Sequence, residues 1–328
     1  LHSQAIGSNA VDEQQALNKM IAPGTRRRGK WRDGVIQIWT TRACDKSCFG
    51  CTQGSNLKGP FARITPEQFE TAVMSLETYF GVVGVFGGNP AVHPQFDELC
   101  AILRKHIPQE RCGLWSNKPF GHGATMRKTF NPRVSNLNVH LDREAYNEFK
   151  RDWPESLPFG LDKDSRHSPV YVAMKDVIHD EADRWNLISE CDINRHWSAM
   201  VGVFRGELRG YFCEIAGSQA MLHQNEANYP DTGIPIYRGE GRQWWQRSMQ
   251  DFAEQVRTHC HSCGVPLRGY GSLAQANDSE GIEQVSATHA EVYQPKRSAR
   301  QVEFVSDIAQ LQAQSLGKFT DYLGNASR

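Results

Sequence analysis

Thr40–Asn56 reads TTRACDKSCFGCTQGSN and places Cys44, Cys48 and Cys51 in a C-x3-C-x2-C array. The array follows a β-like run, Gly34–Trp39 (GVIQIW), so one loop at the end of one strand presents three thiolates together. A 4Fe–4S cluster has four irons and is normally closed by four cysteines. Three cysteines leave one iron open to bind a small molecule and pass it an electron. A zinc knuckle or part of a two-cluster ferredoxin run would need another ligand close in sequence. The twenty residues after Cys51 contain neither Cys nor His.

An array of this spacing after a first strand resembles the signature of the radical S-adenosylmethionine (SAM) superfamily. The resemblance implies that Cys44, Cys48 and Cys51 hold the cluster and that its open iron chelates SAM through the amino and carboxylate groups. One electron then cleaves SAM to methionine and a 5′-deoxyadenosyl radical. Gly87-Gly88-Asn89-Pro90 is similar to the family's GGEP motif, which holds the methionyl amino group, with Asn89 in place of Glu. Ser116-Asn117 resembles the T/S-N-G ending of the third strand, with Lys118 in place of Gly. His140-Leu141-Asp142 resembles the S-L-D ending of the fourth, with His140 where a Ser usually touches the ribose. These motifs make Gly87, Gly88, Asn89, Pro90, Ser116, Asn117, His140 and Asp142 the expected SAM-binding residues. Gly50, not the family's usual aromatic residue, precedes Cys51, and Phe49 lies one place earlier.

Lys plus Arg and Asp plus Glu each total 37 in 328 residues, so the formal charge is zero and no general nucleic-acid or membrane-surface electrostatic mode is indicated. Arg26-Arg27-Arg28 reads as a solvated turn. No apolar run approaches the roughly 18 residues of a spanning helix, and LHSQAIGSNAVDEQQ lacks a signal-peptide pattern, so a cytoplasmic protein is expected. In a reducing compartment nine cysteines point to metal or catalysis rather than disulfides. Seven fall into two groups with ligand-like spacing, leaving Cys100 and Cys112 over.

From Gly34 onward strand-like and helix-like runs alternate, which predicts parallel βα units. The expected strands are Gly34–Trp39, Val82–Phe86, Cys112–Trp115, Leu137–Leu141, Val170–Met174 and Trp185–Ser189. Helices are expected at Glu13–Met20, Thr65–Tyr79, Gln95–Lys105, Ala124–Thr129 and Arg143–Arg151. Thr65, Pro66 and Gln68 supply N-cap, first helical position and capping box, with Phe69, Val73, Leu76 and Phe80 as the buried face. Pro158–Ser168 reads as a loop near the substrate. The fold class is α/β: an N-terminal extension (1–33), a partial (β/α)6 TIM-like barrel (34–190), a small α+β auxiliary domain (191–275) and a C-terminal extension (276–328). Every strand-end motif lies at the carboxyl edge, where parallel barrels carry function.

After Cys191 the pattern changes to a hairpin, Met200–Phe204 and Leu208–Cys213 about Arg205-Gly206-Glu207, then a helix at Gln243–His259 whose Trp244, Trp245, Met249, Phe252 and Val256 read as core. Val302–Leu323 reads as an amphipathic helix or interaction tail. Cys191, Cys213, Cys260 and Cys263 are separated by 21, 46 and 2 residues. By ligand count they suit structural zinc as well as an iron–sulfur cube, and His196, His259 and His261 nearby favour zinc slightly. The pattern resembles the twitch type of auxiliary-cluster domain, a shortened SPASM domain found in radical SAM dehydrogenases. That implies one second 4Fe–4S cluster, closed by four cysteines, that takes an electron from a substrate radical.

The implied function is oxidation of a small carbohydrate-like or natural-product substrate, with flavodoxin or ferredoxin as external electron donor. Arg143, His196 and Arg205 are candidate bases by position alone. A peptide maturase acting on a peptide substrate, an epimerase using Cys100 or Cys112 as hydrogen donor, and a non-enzymatic iron–sulfur or zinc redox sensor remain open.

Overall fold

A computed structural model describes residues 11–26, 34–58, 62–162, 169–237, 243–269, 282–296 and 299–302. The strands are β1 (Val35–Trp39), β2 (Val82–Phe86), β3 (Cys112–Leu114), β4 (Leu137–Asn138), β5 (Pro158–Phe159), β6 (Ser198–Phe204), β7 (Glu207–Tyr211), β8 (Ile234–Pro235), β9 (Glu283–Val285) and β10 (Ala299–Gln301). The helices are α1 (Glu13–Lys19), α2 (Pro66–Met74), α3 (Phe96–His106), α4 (Gly123–Thr129), α5 (Arg143–Asp152), α6 (Met174–Val177), α7 (Glu181–Ser189), α8 (Asp192–His196), α9 (Glu214–His223), α10 (Ala253–His259) and α11 (Ala287–Ala290).

The central sheet runs β3-β2-β1-β6-β7-β8, parallel from β3 to β6 and antiparallel beyond. Every residue of β1 and β2 is buried, as a parallel sheet covered on both faces requires. A parallel bridge from Trp115 to Asn136 ties the end of β3 to the start of β4, and β4 pairs in parallel with β5. Parallel pairing therefore continues through six strands, β1 to β6, in a mixed α/β fold. No helix among the described residues is long and apolar enough to cross a membrane.

Two of the strands differ from expectation. Val170–Met174 is buried and apolar but forms no strand, because its polar backbone groups engage elsewhere. The Val170 carbonyl accepts from Gly264 N–H (3.3 Å), the Tyr171 carbonyl from Ser286 N–H (3.1 Å), and Ala173 N–H donates to Ser286 Oγ (2.9 Å). Trp185–Ser189 lies in α7, whose N-cap Asp180 accepts from Asp183 N–H, with Glu181 and Asp183 in the first turn. Pro158–Phe159, expected in a loop, is β5, and Ser198–Phe204, expected in the auxiliary domain, is β6 beside β1. The central sheet thus takes strands from both sides of the expected boundary at 190 and 191.

Helix α2 follows its sequence signals: Thr65 Oγ1 accepts from Gln68 N–H and the Gln68 side chain accepts from Thr65 N–H. Phe69, Val73 and Leu76 are fully buried, whereas Phe80 is 38% exposed. The helix ends at Met74, six residues before Phe80, so Phe80 leaves the helical phase and lies beneath the Arg26 guanidinium. Thr65→Ala is expected to lower unfolding stability by about 1 kcal/mol in a denaturant titration, the usual effect of losing an N-cap acceptor.

The hairpin between β6 and β7 turns on Arg205 and Gly206, both at positive φ. The expected helix Gln243–His259 is two short 3₁₀ turns leading into α10, yet Trp244, Trp245, Met249, Phe252 and Val256 are all buried. The expected Val302–Leu323 helix lies outside the described residues apart from Val302.

Candidate metal centre

β1 delivers the cysteine loop, and β2 delivers Gly87-Gly88 directly against it. Gly88 N–H donates to the Thr41 carbonyl (2.7 Å) and Asn89 N–H to the Ala43 carbonyl (2.8 Å). Gly87 sits at φ +146°, and a Cβ at Gly88 would collide with the Ala43 carbonyl oxygen. The two glycines let one backbone lie on the other, one residue before Cys44.

A cavity of about 160 Å³ opens beside this contact and is lined by Cys44, Cys48 and Cys51 together with Gly87, Gly88, Ser116, Asn117 and His140. Cys44 Sγ accepts from Lys46 N–H (3.4 Å) and lies 3.8 Å from Asn117 Oδ1. Burial pushes the Cys44 thiol up to about 12. Cys48 Sγ lies 3.9 Å from His140 Nδ1. His140 and Leu141 have φ of +48° and +65°, a left-handed turn that ends the strand run early.

Asn89, Pro90 and Asp142 do not line this cavity. Asn89 is fully buried and its side chain is engaged by the protein: Oδ1 accepts from Ala91 N–H (3.1 Å) and Ser116 Oγ (2.9 Å), and Nδ2 donates to the Lys118 carbonyl (3.1 Å). It ties the glycine loop to Ser116. Asp142 caps α5 by accepting from Ala145 N–H and pairs with Lys46 Nζ at 3.0 Å, so it holds a cavity-lining cation. The cap and the Lys46 ammonium hold its carboxyl below the usual range against the opposing effect of desolvation.

The cavity is also lined by Trp115, Trp197, Gln53 and Glu214, none of them singled out by the sequence as site residues. Glu214 is 4% exposed and Oε2 accepts from Gln37 Nε2 (2.5 Å). A polar Gln in the middle of the buried run VIQIW was the readable signal for this part of the wall. Of the candidate bases, Arg143 and Arg205 lie outside the cavity. The Arg205 guanidinium donates to the carbonyls of Gln224, Glu226 and Tyr229.

Cys191, Cys213, Cys260 and Cys263 all line a second, smaller cavity of about 30 Å³, with Phe212, Ile215 and Val265 among its apolar walls. Burial and the neighbouring thiols push Cys213 and Cys260 up, and burial takes Cys263 to about 12. His259 lines the same cavity, but Nδ1 meets the Tyr229 hydroxyl (3.1 Å) and Nε2 meets Thr232 Oγ1 (3.0 Å). His261 is outside it, and its Nδ1 accepts from Arg184 Nε (3.2 Å). Each imidazole is engaged by neighbouring side chains of the protein. Cys100 and Cys112 are buried in the core and line neither cavity.

Among the described residues no three His, Cys, Asp or Glu side chains stand close enough to hold a single metal ion. A tetrahedral zinc with Zn–S of about 2.3 Å draws its sulfurs to within roughly 4 Å of one another. A cube binds each cysteine at a different iron and spreads them further. By donor type, the four cysteines around the second cavity suit a tetrahedral zinc as well as a 4Fe–4S cube.

No family model and no curated protein matches this chain. Among solved structures it is similar to the crystal structure of BtrN in complex with AdoMet and 2-DOIA, at 13% identity, with 74% of this chain and 91% of that chain covered and a TM-score of 0.40.

Proposed function

We propose that the chain is a radical SAM oxidoreductase built on a partial (β/α)6 barrel. The observation that most supports it is that three cysteines from one loop share a cavity with Gly87-Gly88, Ser116-Asn117 and His140, which come from three other strand ends. Cys44, Cys48 and Cys51 would hold a 4Fe–4S cluster, which would supply the electron for reductive cleavage of SAM. The protein's part is placement and exclusion of water. Gly87 and Gly88 would offer main chain to the methionyl end, Ser116 is held by Asn89, and the His140 ring beside Cys48 would meet the ribose. Phe86, Trp115 and Trp197 also line the cavity and would offer apolar wall to a bound substrate.

Cys191, Cys213, Cys260 and Cys263 around the second cavity would hold an auxiliary cluster, which would supply an electron acceptor and so favour net oxidation. Cys100 and Cys112 are buried, their thiols pushed up by desolvation, and this is the ordinary state of inert core cysteines rather than of an epimerase's hydrogen donor. The reading calls for a reducing, cytoplasmic setting and a flavodoxin- or ferredoxin-like donor.

Anaerobic reconstitution followed by dithionite and SAM tests it. The expected result is 5′-deoxyadenosine, with iron and sulfide each near about eight per chain. A metal-loaded protein that produces none would be a sensor, and iron near about four with zinc present would remove the auxiliary cluster.

A further inference from the structure

The C-terminal segment brings a buried carboxylate to the first cysteine loop. Glu283 opens β9 and is 2% exposed. Its Oε1 accepts from Gly50 N–H (2.8 Å) and its Oε2 from Asn56 Nδ2 (2.6 Å), so the two oxygens grip the loop on either side of Cys51. The Tyr171 hydroxyl lies 2.7 Å from the Cys51 carbonyl and 2.8 Å from Asn56 Oδ1, and its single proton serves both acceptors. The same segment is joined to the loop through the main chain. Lys58 N–H donates to the Gln294 carbonyl (2.8 Å), Lys296 N–H to the Asn56 carbonyl (2.9 Å), and Lys296 Nζ to the Ser55 carbonyl (2.7 Å).

Burying a carboxylate is unfavourable unless donors surround it, and charge-assisted hydrogen bonds are among the stronger ones available. Here the donors belong to the turn that carries a candidate cluster ligand. The hydrogen bond from Gly50 N–H to Glu283 Oε1 holds the Gly50 peptide in one orientation. A negative charge close behind a cluster also makes electron uptake less favourable, since it raises the energy of the more reduced, more negative state.

We propose that Glu283 is a positioning residue for the first cysteine site, fixing the Gly50–Asn56 turn and with it the Cys51 sulfur, and lowering the reduction potential of a cluster bound there. The positioning half stands on the metal-free protein, and the potential half rests on the radical SAM reading.

Glu283→Gln removes the charge and leaves one acceptor for two donors, unless Asn56 flips and withdraws its oxygen from Tyr171. In metal-free protein, labelling with N-ethylmaleimide is read cysteine by cysteine by mass spectrometry. Cys51 is expected to label about tenfold faster in Glu283→Gln, the effect of losing one hydrogen bond to a charged group. Glu283→Asp should fall between the variant and wild type. Cys100 and Cys112 report the fold: if they label too, Glu283→Gln has opened the core and Glu283→Asp decides the question. Wild-type labelling of Cys51 in a folded variant overturns the positioning role.

In reconstituted protein with unchanged iron content, the midpoint potential of the SAM-responsive cluster is expected to rise in Glu283→Gln. An unchanged potential overturns the electrostatic half. If wild type forms no 5′-deoxyadenosine, the proposed function fails while the labelling result still decides whether Glu283 holds the loop.

Discussion

Cys48→Ala is expected to abolish formation of 5′-deoxyadenosine from SAM while leaving the fold intact. Cys48 is only half-buried, belongs to no core cluster, and has its Sγ 3.9 Å from His140 Nδ1 in the cavity wall. Its removal opens no packing defect, so stability should change by no more than about 0.5 kcal/mol. Function should respond quite differently, because a cube held as proposed would lose one of its three protein ligands. The contrast is Cys112→Ala, in a fully buried residue of the central sheet. That change should cost about 1–2 kcal/mol of stability and leave SAM cleavage at the wild-type rate. Cleavage by Cys48→Ala at the wild-type rate would separate the cysteine loop from the chemistry.

Gly88→Ala is expected to be the more damaging change to the protein itself. The added Cβ meets the Ala43 carbonyl oxygen and also crowds the Arg42 carbonyl oxygen, both backbone atoms that cannot rotate away. Relief requires parting the Gly88–Thr41 and Asn89–Ala43 hydrogen bonds that join the two loops. Overpacking and two lost backbone bonds together suggest a loss of about 3 kcal/mol, visible as a lower denaturant midpoint. Cluster occupancy should fall with it, since the parted loop is the one that leads into Cys44. A variant with wild-type stability and iron content would show that the loops have other means of holding together.

What the chain reveals on reading depends on how local each signal is. Thr65, Pro66 and Gln68 act within one turn, and α2 begins where they place it. The all-apolar β2 and the turn residues Arg205-Gly206 are equally local, and the elements they predict are present. Periodicity misleads where length is short. Trp185–Ser189 offers five residues that suit either state, and the deciding group, Asp180, stands outside the apolar run. Val170–Met174 is apolar enough for a strand, but its backbone partners come from Gly264 and Ser286, far along the chain.

The two cysteine groups were legible as groups because their spacing is that of candidate metal ligands. The structure gathers each group around its own cavity. The glycine motif was legible as a close approach, though part of its purpose is to seat one loop on another rather than to meet a ligand alone. Glu283 was not legible at all. It lies 233 residues from Gly50 in a segment whose composition reads as a polar extension, and nothing local marks a carboxylate that will be buried.

The central claim is that an iron held beside Cys44, Cys48 and Cys51 has a coordination place for SAM. Pulsed electron paramagnetic resonance on reduced, reconstituted protein, with SAM carrying a nitrogen isotope label in its amino group, tests this without knowledge of the substrate. The account predicts a hyperfine coupling from the labelled nitrogen that is present in wild type and absent from Cys48→Ala. A fully reduced cluster whose spectrum is the same with and without labelled SAM would contradict it.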